Sequence, residues 1–280
     1  MPPSAFRVVT IALNVPGPLA VARLAEFGAV VTKVEPPGGD PLGRSAWYAE
    51  LHRGTTVLRL DLKEPGDRAR MDGLLAEADL LVTSQRLGAL ARLGLDWAAV
   101  HARHPHLCQV AIVGHPAPDQ DVPGHDLTYL APTGLLAPPG MPRTLMADIL
   151  GAERAASAAL ALLLARARGG EAGYAEVALS DGAEVLALPL RHGFTGEGRR
   201  LGGGSRGITC TRRAQVGGAG GAGAAFLAAL PRFAGAGGGA GDGGGARGVH
   251  GAHGGGVGGV GQEHDVPVVA VGRGRVTSNE

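Results

Sequence analysis

Glycine is distributed so unevenly along this chain that it divides the chain into two regions with different folding prospects. Gly accounts for 49 of the 280 residues, and 21 of these lie in the 45-residue segment 217–261. No Asp or Glu occurs between Glu197 and Asp242. A segment so rich in Gly and Ala cannot bury enough apolar surface to offset the conformational entropy lost on folding. The sequence therefore predicts a folded region, 1–204, and a disordered Gly/Ala-rich tail, 205–280.

The composition of the tail also points to a change of reading frame. Gly, Ala and Arg are encoded by GGN, GCN and CGN codons, so a GC-rich gene that is read out of frame yields these residues. When the codons of 216–226 are regrouped, they can encode Trp-Val-Ala-Leu-Ala-Ala-Leu-Glu-Pro-Arg, which is an ordinary strand and turn. We hypothesise a frameshift near residues 205–210, either natural or from sequencing. Stop codons in the alternative frame would refute it.

Short β-rich segments alternate with helical segments through the first 200 residues. The predicted strands are Phe6–Leu13, Ala29–Glu35, Thr55–Asp61, Asp79–Thr83, Leu107–Val113 and Tyr174–Leu179. The predicted helices are 17–28, 64–78, 125–137, 149–168 and 180–191. Repeated strand–helix–strand units are typical of an α/β fold with a mostly parallel sheet and helices on both faces.

The bulk properties argue against several classes of function. The formal net charge of +1 gives no sign of a nucleic-acid or membrane partner. The longest apolar run, Ala155–Ala165, is too short to span a bilayer. The N-terminus lacks the pattern of a secretory signal, and two cysteines make neither a disulfide framework nor a metal site. We expect a cytoplasmic protein without a bound metal.

The chemistry-bearing residues cluster in two segments, PGHDLTY at 123–129 and MADI at 146–149. His125 follows a Gly and opens a predicted helix. Asp148 lies at the start of the long Ala-rich helix, where free N–H groups are expected to stabilise its charge. Each residue also has an ordinary interpretation, since Asp near a helix N-terminus is usually structural and a lone His at a helix start is usually a surface residue.

Several segments, in order, resemble the class III CoA-transferase family (CaiB/BaiF type), which includes α-methylacyl-CoA racemases. They are LNVPGPLAVARLAEFGAVVTKVEPPGGD, LRLDLKEPGDRARMDGLLAEADLLVTSQRLGALARLGLDW, LCQVAIVG, PGHDLTY and LMADILGAERAASAALALLLARARGGEAGYAEVALSDGA. The likeness runs from about residue 6 to residue 204. It implies a Rossmann-like large domain, a smaller second domain, here disrupted, and two chains that interlock as rings.

The resemblance also implies an acyl-CoA substrate and a role for Asp148. In the transferases the matching aspartate attacks the acyl thioester, giving a mixed anhydride and then an enzyme thioester with CoA. In the racemases it is one acid/base group, and a His at the position of His125 belongs to the other. Because the transferases more often have Tyr at that position, the sequence favours racemase-type proton transfer narrowly over CoA transfer. A non-catalytic remnant of the family is a third hypothesis.

From the resemblance, Lys63, Ser84, Arg86 and Arg92 are candidates to contact the CoA moiety of the substrate, and no covalently bound cofactor is implied. The alternative for each of the three basic residues is an ordinary solvent-facing cation. The chain departs from the family in this region. Where the family has KVERP and NFRPG, this chain has KVEPP and SQRLG, so a basic residue near the CoA phosphates is missing. The glutamate that racemases carry in an LEPRF-like segment is also missing, although the regrouped frame encodes one between Gly223 and Ala224.

Overall fold

A six-stranded parallel sheet forms the centre of the molecule. The computed structural model describes residues 5–196, 208–210 and 216–218. The strands are β1 (Arg7–Thr10), β2 (Val30–Glu35), β3 (Thr56–Arg59), β4 (Leu80–Thr83), β5 (Cys108–Val113) and β6 (Tyr174–Ala178). Their order is β3-β2-β1-β4-β5-β6, and every neighbouring pair is parallel. The predicted α/β, Rossmann-like fold is confirmed, and each strand lies within its predicted segment.

Helices cover both faces of the sheet. They are α1 (Pro16–Glu26), α2 (Ala46–Leu51), α3 (Pro65–Ala76), α4 (Leu87–Leu93), α5 (Trp97–Arg103), α6 (Asp126–Leu130), α7 (Met146–Ala167) and α8 (Leu179–Arg191). Successive side chains of a strand point to opposite faces. Val8 of β1 accordingly belongs to one apolar core, with α1 and α7, and Val9 to the other, with α3 and α4.

The prediction of one helix over 125–137 is wrong. Helix α6 ends at Leu130 and continues only as a 3₁₀ turn over Ala131–Thr133. Pro132 lies inside that turn, where its missing N–H and its ring prevent further α-helix. Gly134 then takes a left-handed conformation with φ 78°. This early end leaves the connection to α7 free to approach the sheet.

The predictions for the tail lie almost entirely outside the described residues. This holds for the separate region 205–280, its disorder and the frameshift. Within the region, only β7 (Ile208–Cys210) and β8 (Val216–Gly218) are described, and they pair antiparallel in a sheet of their own. None of the described helices is both long enough and apolar enough to cross a membrane.

Candidate active site

A cleft of about 840 Å³ opens where the strands of the central sheet end. Its lining includes Asn14, which follows β1, Ser84, which follows β4, and Gly114, which follows β5. These are carboxyl ends of parallel strands, and β1 and β4 are the neighbours at which the strand order reverses. Ligands bind at this switch point in open α/β sheets. We refer to it as the carboxyl-end cleft.

Asp148 reaches this cleft because helix α7 lies very close to its neighbours. The buried face of α7 consists of small residues, namely Ala147, Gly151, Ala152, Ala155, Ala156 and Ala159. A Cβ at Gly151 would overlap Cδ2 of Leu179. The small side chains therefore fix the start of α7 against α8 and the sheet. Asp148 lies in the first turn of α7, as predicted, and lines the cleft.

A second carboxylate, that of Asp126, caps the N-terminus of α7. Its Oδ1 accepts hydrogen bonds from the backbone N–H groups of Ala147 (2.7 Å) and Asp148 (3.0 Å). Asp126 is only 3% exposed, and its Oδ2 is buried without a hydrogen-bond partner among the described residues. The expectation that free N–H groups at the start of α7 stabilise the charge of Asp148 is therefore corrected, because Asp126 already accepts from two of them.

The surroundings disfavour the charge of Asp148 instead of stabilising it. Burial, and then the negative charge of Asp126, raise the pKa of Asp148 to about 6. Burial, and then the charges of Asp148 and Asp126, also raise the pKa of Tyr129. The Tyr129 ring packs so closely on Gly114 and Gly124 that a Cβ on either glycine would overlap the ring or its hydroxyl. The cleft therefore holds two neighbouring carboxylates beside a buried phenol.

His125 lines the same cleft as Asp148, so the structure brings the two predicted catalytic residues together. His125 is the N-cap residue of α6 and is exposed. Its backbone N–H donates to Thr128 Oγ1 (2.8 Å), and the Thr128 hydroxyl donates to the His125 carbonyl (2.7 Å). The backbone of His125 is thus fixed by α6, while its side chain is accessible from solvent.

The four residues predicted to contact CoA divide into two pairs. Ser84 and Arg86 line the carboxyl-end cleft, and the Ser84 hydroxyl accepts a hydrogen bond from the backbone N–H of Leu13 (3.1 Å). Lys63 and Arg92 are exposed and are not among the residues that line the cleft. The structure therefore places one predicted pair at the site and leaves the other pair on the surface.

The position at which dinucleotide-binding folds hold a pyrophosphate is altered in this chain. In such folds the helix after β1 presents its N-terminal N–H groups to the phosphates. The first three residues of α1 are Pro16, Gly17 and Pro18, so two of these three N–H groups are missing. A Cβ on Gly17 would overlap Ala12, which shows that this glycine serves packing. The start of α1 therefore offers fewer N–H donors to an anion than the corresponding helix of those folds.

Asp126 and Tyr129 are the site residues that reasoning from the sequence did not identify. Both lie in the PGHDLTY segment, three residues apart on α6, so they share a face of the helix. Both are buried, at 3% exposure each. The sequence signal for these two residues is an Asp and a Tyr three positions apart, next to the candidate catalytic residue His125.

The sequence of the chain matches known proteins over most of the described residues. Residues 4–211 match the CoA-transferase family III. The chain is 32% identical over 201 residues to succinyl-CoA–D-citramalate CoA-transferase of Chloroflexus aurantiacus, covering 65% of this chain and 50% of that protein. It is 31% identical to succinate–glutarate CoA-transferase of Agrobacterium fabrum, covering 64% and 51%.

Solved structures show the same likeness. The crystal structure of Rv3272 from Mycobacterium tuberculosis superposes with a TM-score of 0.62 at 30% identity, covering 67% of this chain and 57% of that one. A CaiB/BaiF family protein from Brucella suis gives a TM-score of 0.64 at 27% identity, covering 69% and 57%. The chain spans about half the length of the curated relatives that it matches. With its fold, its carboxyl-end cleft and the match over residues 4–211, the chain belongs to the CoA-transferase family III.

Proposed function

We propose that this protein transfers coenzyme A between carboxylic acids, with Asp148 as the nucleophile. The observation that carries the proposal is a partly buried carboxylate that forms no ion pair within the described residues and lines a cleft at the switch point of the sheet. The relatives named above are CoA-transferases, which favours transfer over the racemisation that the sequence analysis preferred.

The proposed reaction begins with an attack by Asp148 on the thioester carbonyl of acyl-CoA. A C–O bond forms, the C–S bond breaks, and the CoA thiolate leaves from a mixed anhydride. The thiolate then attacks the Asp148 carbonyl of the anhydride, which releases the first carboxylic acid and leaves CoA as a thioester on Asp148. The acceptor carboxylate attacks this thioester, which breaks the C–S bond, releases the thiolate and forms a second mixed anhydride. The thiolate then attacks the acceptor's carbonyl carbon, which forms the new acyl-CoA and frees the Asp148 carboxylate.

The electrostatics of Asp148 suit this first step. With a pKa of about 6, the carboxylate is mostly ionised at neutral pH, and it is more basic than an ordinary aspartate. Neutralising its charge by forming an ester-like bond relieves the repulsion from Asp126. The neighbouring charge therefore favours the covalent intermediate over the free carboxylate.

The experiment that tests the proposal looks for CoA on Asp148. The protein is incubated with succinyl-CoA and an acceptor acid, quenched with hydroxylamine, digested and analysed by mass spectrometry. We expect a hydroxamate on the peptide that contains Asp148, and none in Asp148→Asn. Asp181→Asn is the matched control, because Asp181 occupies the same first-turn position in α8 but does not line the cleft. An unmodified Asp148 peptide in a protein that turns over would contradict the mechanism.

A second candidate function, racemase-type proton transfer, is favoured by the presence of His125 and Asp148 in one cleft. Inversion at the α-carbon needs two acid/base groups, one on each face of the substrate. A chiral 2-methylacyl-CoA incubated in heavy water without an acceptor acid distinguishes the two reactions. Deuterium at the α-carbon that is lost in His125→Ala, but kept in the control His192→Ala, would favour proton transfer over CoA transfer.

A non-catalytic family remnant is the remaining hypothesis. It is motivated by the missing CoA-contact motifs and by the Gly/Ala-rich composition of 205–280. Under this hypothesis, neither the hydroxamate nor α-deuteration would be found, while the DNA around codons 200–265 would show whether a longer frame exists. The interlocked homodimer is likewise a proposal, and the molar mass in solution measured by light scattering would test it.

A further inference from the structure

The lysine of β2, Lys33, has no accessible surface, although it lies outside the carboxyl-end cleft. Its ammonium group contacts Asp40 Oδ2 (2.6 Å), Glu35 Oε1 (3.1 Å) and His52 Nε2 (2.9 Å). The contacts with Asp40 and His52 are hydrogen bonds, and the contact with Glu35 is an ion pair. Lys33 therefore joins β2, the loop that follows it and the end of α2 through one buried group.

The partners of Lys33 are themselves held on the same segment of chain. The Tyr48 hydroxyl donates to Glu35 Oε1 (2.6 Å), and the ring of Tyr48 stacks on His52 with centroids 4.0 Å apart. Asp40 Oδ1 accepts from the backbone N–H of Leu42 (2.8 Å). We refer to Lys33, Glu35, Asp40, Tyr48 and His52 as the Lys33 cluster.

The hydrogen bonds of His52 define its protonation state. His52 Nδ1 lies 2.7 Å from the backbone carbonyl oxygen of Tyr48, which can only accept, so Nδ1 carries a proton. His52 Nε2 faces the ammonium group of Lys33, which can only donate, so Nε2 has to accept. The Lys33 cluster thus requires a neutral imidazole.

We propose that Lys33 is a positioning residue that anchors the loop 36–45 at the carboxyl-end cleft, and that it does so only while His52 is neutral. A proton on Nε2 would point at the ammonium group and place two cations in contact inside the protein. The acidic groups nearby, Asp40 and Glu35, are already committed to Lys33 and Tyr48. Arg59, close to Glu35, adds a further positive charge to this region.

The loop 36–45 connects the Lys33 cluster to the site. Leu42 lines the carboxyl-end cleft, and its backbone N–H is held by Asp40. Release of Asp40 from Lys33 would therefore free one wall of the cleft. This part of the proposal rests on the proposed function, since it takes the occupant of the cleft to be an acyl-CoA.

The direction of the pH effect follows from the burial of His52. Burial, and to a lesser degree the charge of Lys33, lower the pKa of His52 below 6.5. An opened loop with an ordinary histidine binds a proton below about pH 6.5 more readily than the closed loop does. The closed state is therefore fully stable above that pH and weakens as the pH falls, by up to about tenfold in the opening equilibrium for each pH unit.

Hydrogen exchange detected by mass spectrometry on the full chain tests the anchor without any ligand. Peptides covering 36–52 are followed from about pH 7.5 to about pH 5, with rates corrected for the intrinsic dependence of exchange on pH. We expect opening of this segment to rise below about pH 6.5 in the wild type, by up to about tenfold per pH unit. His52→Gln keeps an acceptor for Lys33 without a titrating ring, so its profile should be flat. His192→Gln, which changes an exposed histidine after α8, should behave like the wild type.

Two further variants of the Lys33 cluster are compared, so that the test remains if one of them does not fold. Lys33→Met leaves two buried carboxylates without their cation and is expected to open the segment at every pH, provided that it folds. Asp40→Asn keeps an acceptor for the Leu42 N–H but removes the charge that faces Lys33, and is expected to open the segment less. A pH-independent exchange profile in the wild type, or the same pH response in His52→Gln, would overturn the proposal.

The link to the cleft has its own readout, the dissociation constant of CoA measured by calorimetry over the same pH range. The Asp148→Asn background removes the titration of Asp148 from this measurement. We expect CoA binding to weaken together with loop opening, and His52→Gln to abolish the weakening. Opening of the loop with constant CoA affinity would overturn the link to the cleft. Opening of the loop in a protein that binds no CoA at any pH would overturn the proposed function and leave the anchor standing.

Discussion

The molecule contains two clusters of buried acidic groups that differ in whether a cation contacts them. In the Lys33 cluster, Asp40 and Glu35 each contact the buried ammonium group, and every partner lies within hydrogen-bond distance. In the carboxyl-end cleft, Asp126 and Asp148 neighbour each other, and Asp126 Oδ2 has no partner among the described residues. In the first arrangement a cation contacts both carboxylates. In the second, the two carboxylates repel each other.

This difference indicates which cluster carries chemistry. A compensated buried network holds parts of a fold together, as Lys33 holds β2, the following loop and α2. An uncompensated carboxylate costs stability, and groups of this kind concentrate at functional sites because their perturbed pKa serves the reaction. Burial without a counter-charge therefore supports the proposal that Asp148 is the catalytic carboxylate, whereas burial alone would not.

The largest expected effect comes from removing the counter-charge of the first cluster. Lys33→Met should lower the free energy of unfolding by about 3–5 kcal/mol, because it leaves Glu35 and Asp40 buried without their cation. Urea unfolding at neutral pH measures the loss. Lys63→Met, at an exposed lysine, is the control and should change little. A loss in Lys33→Met of less than about 1 kcal/mol would mean that the Lys33 cluster is not a buried ion network.

Two tyrosine variants compare the two regions by the stability lost when a single hydroxyl group is removed. The Tyr48 hydroxyl donates to the Glu35 carboxylate, so Tyr48→Phe should cost about 1.5–3 kcal/mol of unfolding free energy. The Tyr129 hydroxyl has no hydrogen-bond partner among the described residues and lies near two carboxylates, so Tyr129→Phe should cost less than about 1 kcal/mol. Thermal or urea unfolding of both variants measures the difference. Equal losses would remove the contrast between the two regions.

A smaller effect is expected when the second carboxylate of the cleft loses its charge. In Asp126→Asn the amide oxygen can still accept from the N–H groups of Ala147 and Asp148, but the repulsion on Asp148 disappears. The pKa of Asp148 should fall, although burial, its first cause, remains. The acid limb of the profile of kcat against pH should therefore move to lower pH by less than about one unit. A limb that stays near pH 6, or moves to higher pH, would contradict the assigned role of Asp126.

Much of this fold could be predicted from local sequence patterns. Short apolar strands separated by helical segments identify a parallel sheet, because each strand must be buried on both faces. The end of α6 was missed because the helical pattern of 125–137 outweighed Pro132 and Gly134. The short helices α2, α4 and α5 were also missed, since a helix of six or seven residues shows too little periodicity to be recognised.

Part of the site was predictable in its residues, but Asp126, Tyr129 and the electrostatics of the cleft were not. Asp148 and His125 were identified from their segments, and the structure places both at one cleft. The capping of α7 by Asp126 depends on a contact across 22 positions of the chain, which no local pattern encodes. The same holds for Lys33, whose burial beside His52 follows from the path of the loop between them. Charges that meet only after folding are therefore what the sequence leaves undetermined.

The difference in unfolding free energy between Asp148→Asn and the wild type, measured across pH, tests the central claim most directly. Because the pKa of Asp148 is raised to about 6, its ionised form destabilises the folded state fully above that pH, and the penalty disappears as the pH falls toward 3.8. We predict that Asp148→Asn is more stable than the wild type by roughly 2 kcal/mol near pH 7.5, with a gain that shrinks below about pH 6. A variant that is less stable than the wild type at every pH would show that Asp148 is a structural cap, and would contradict the account.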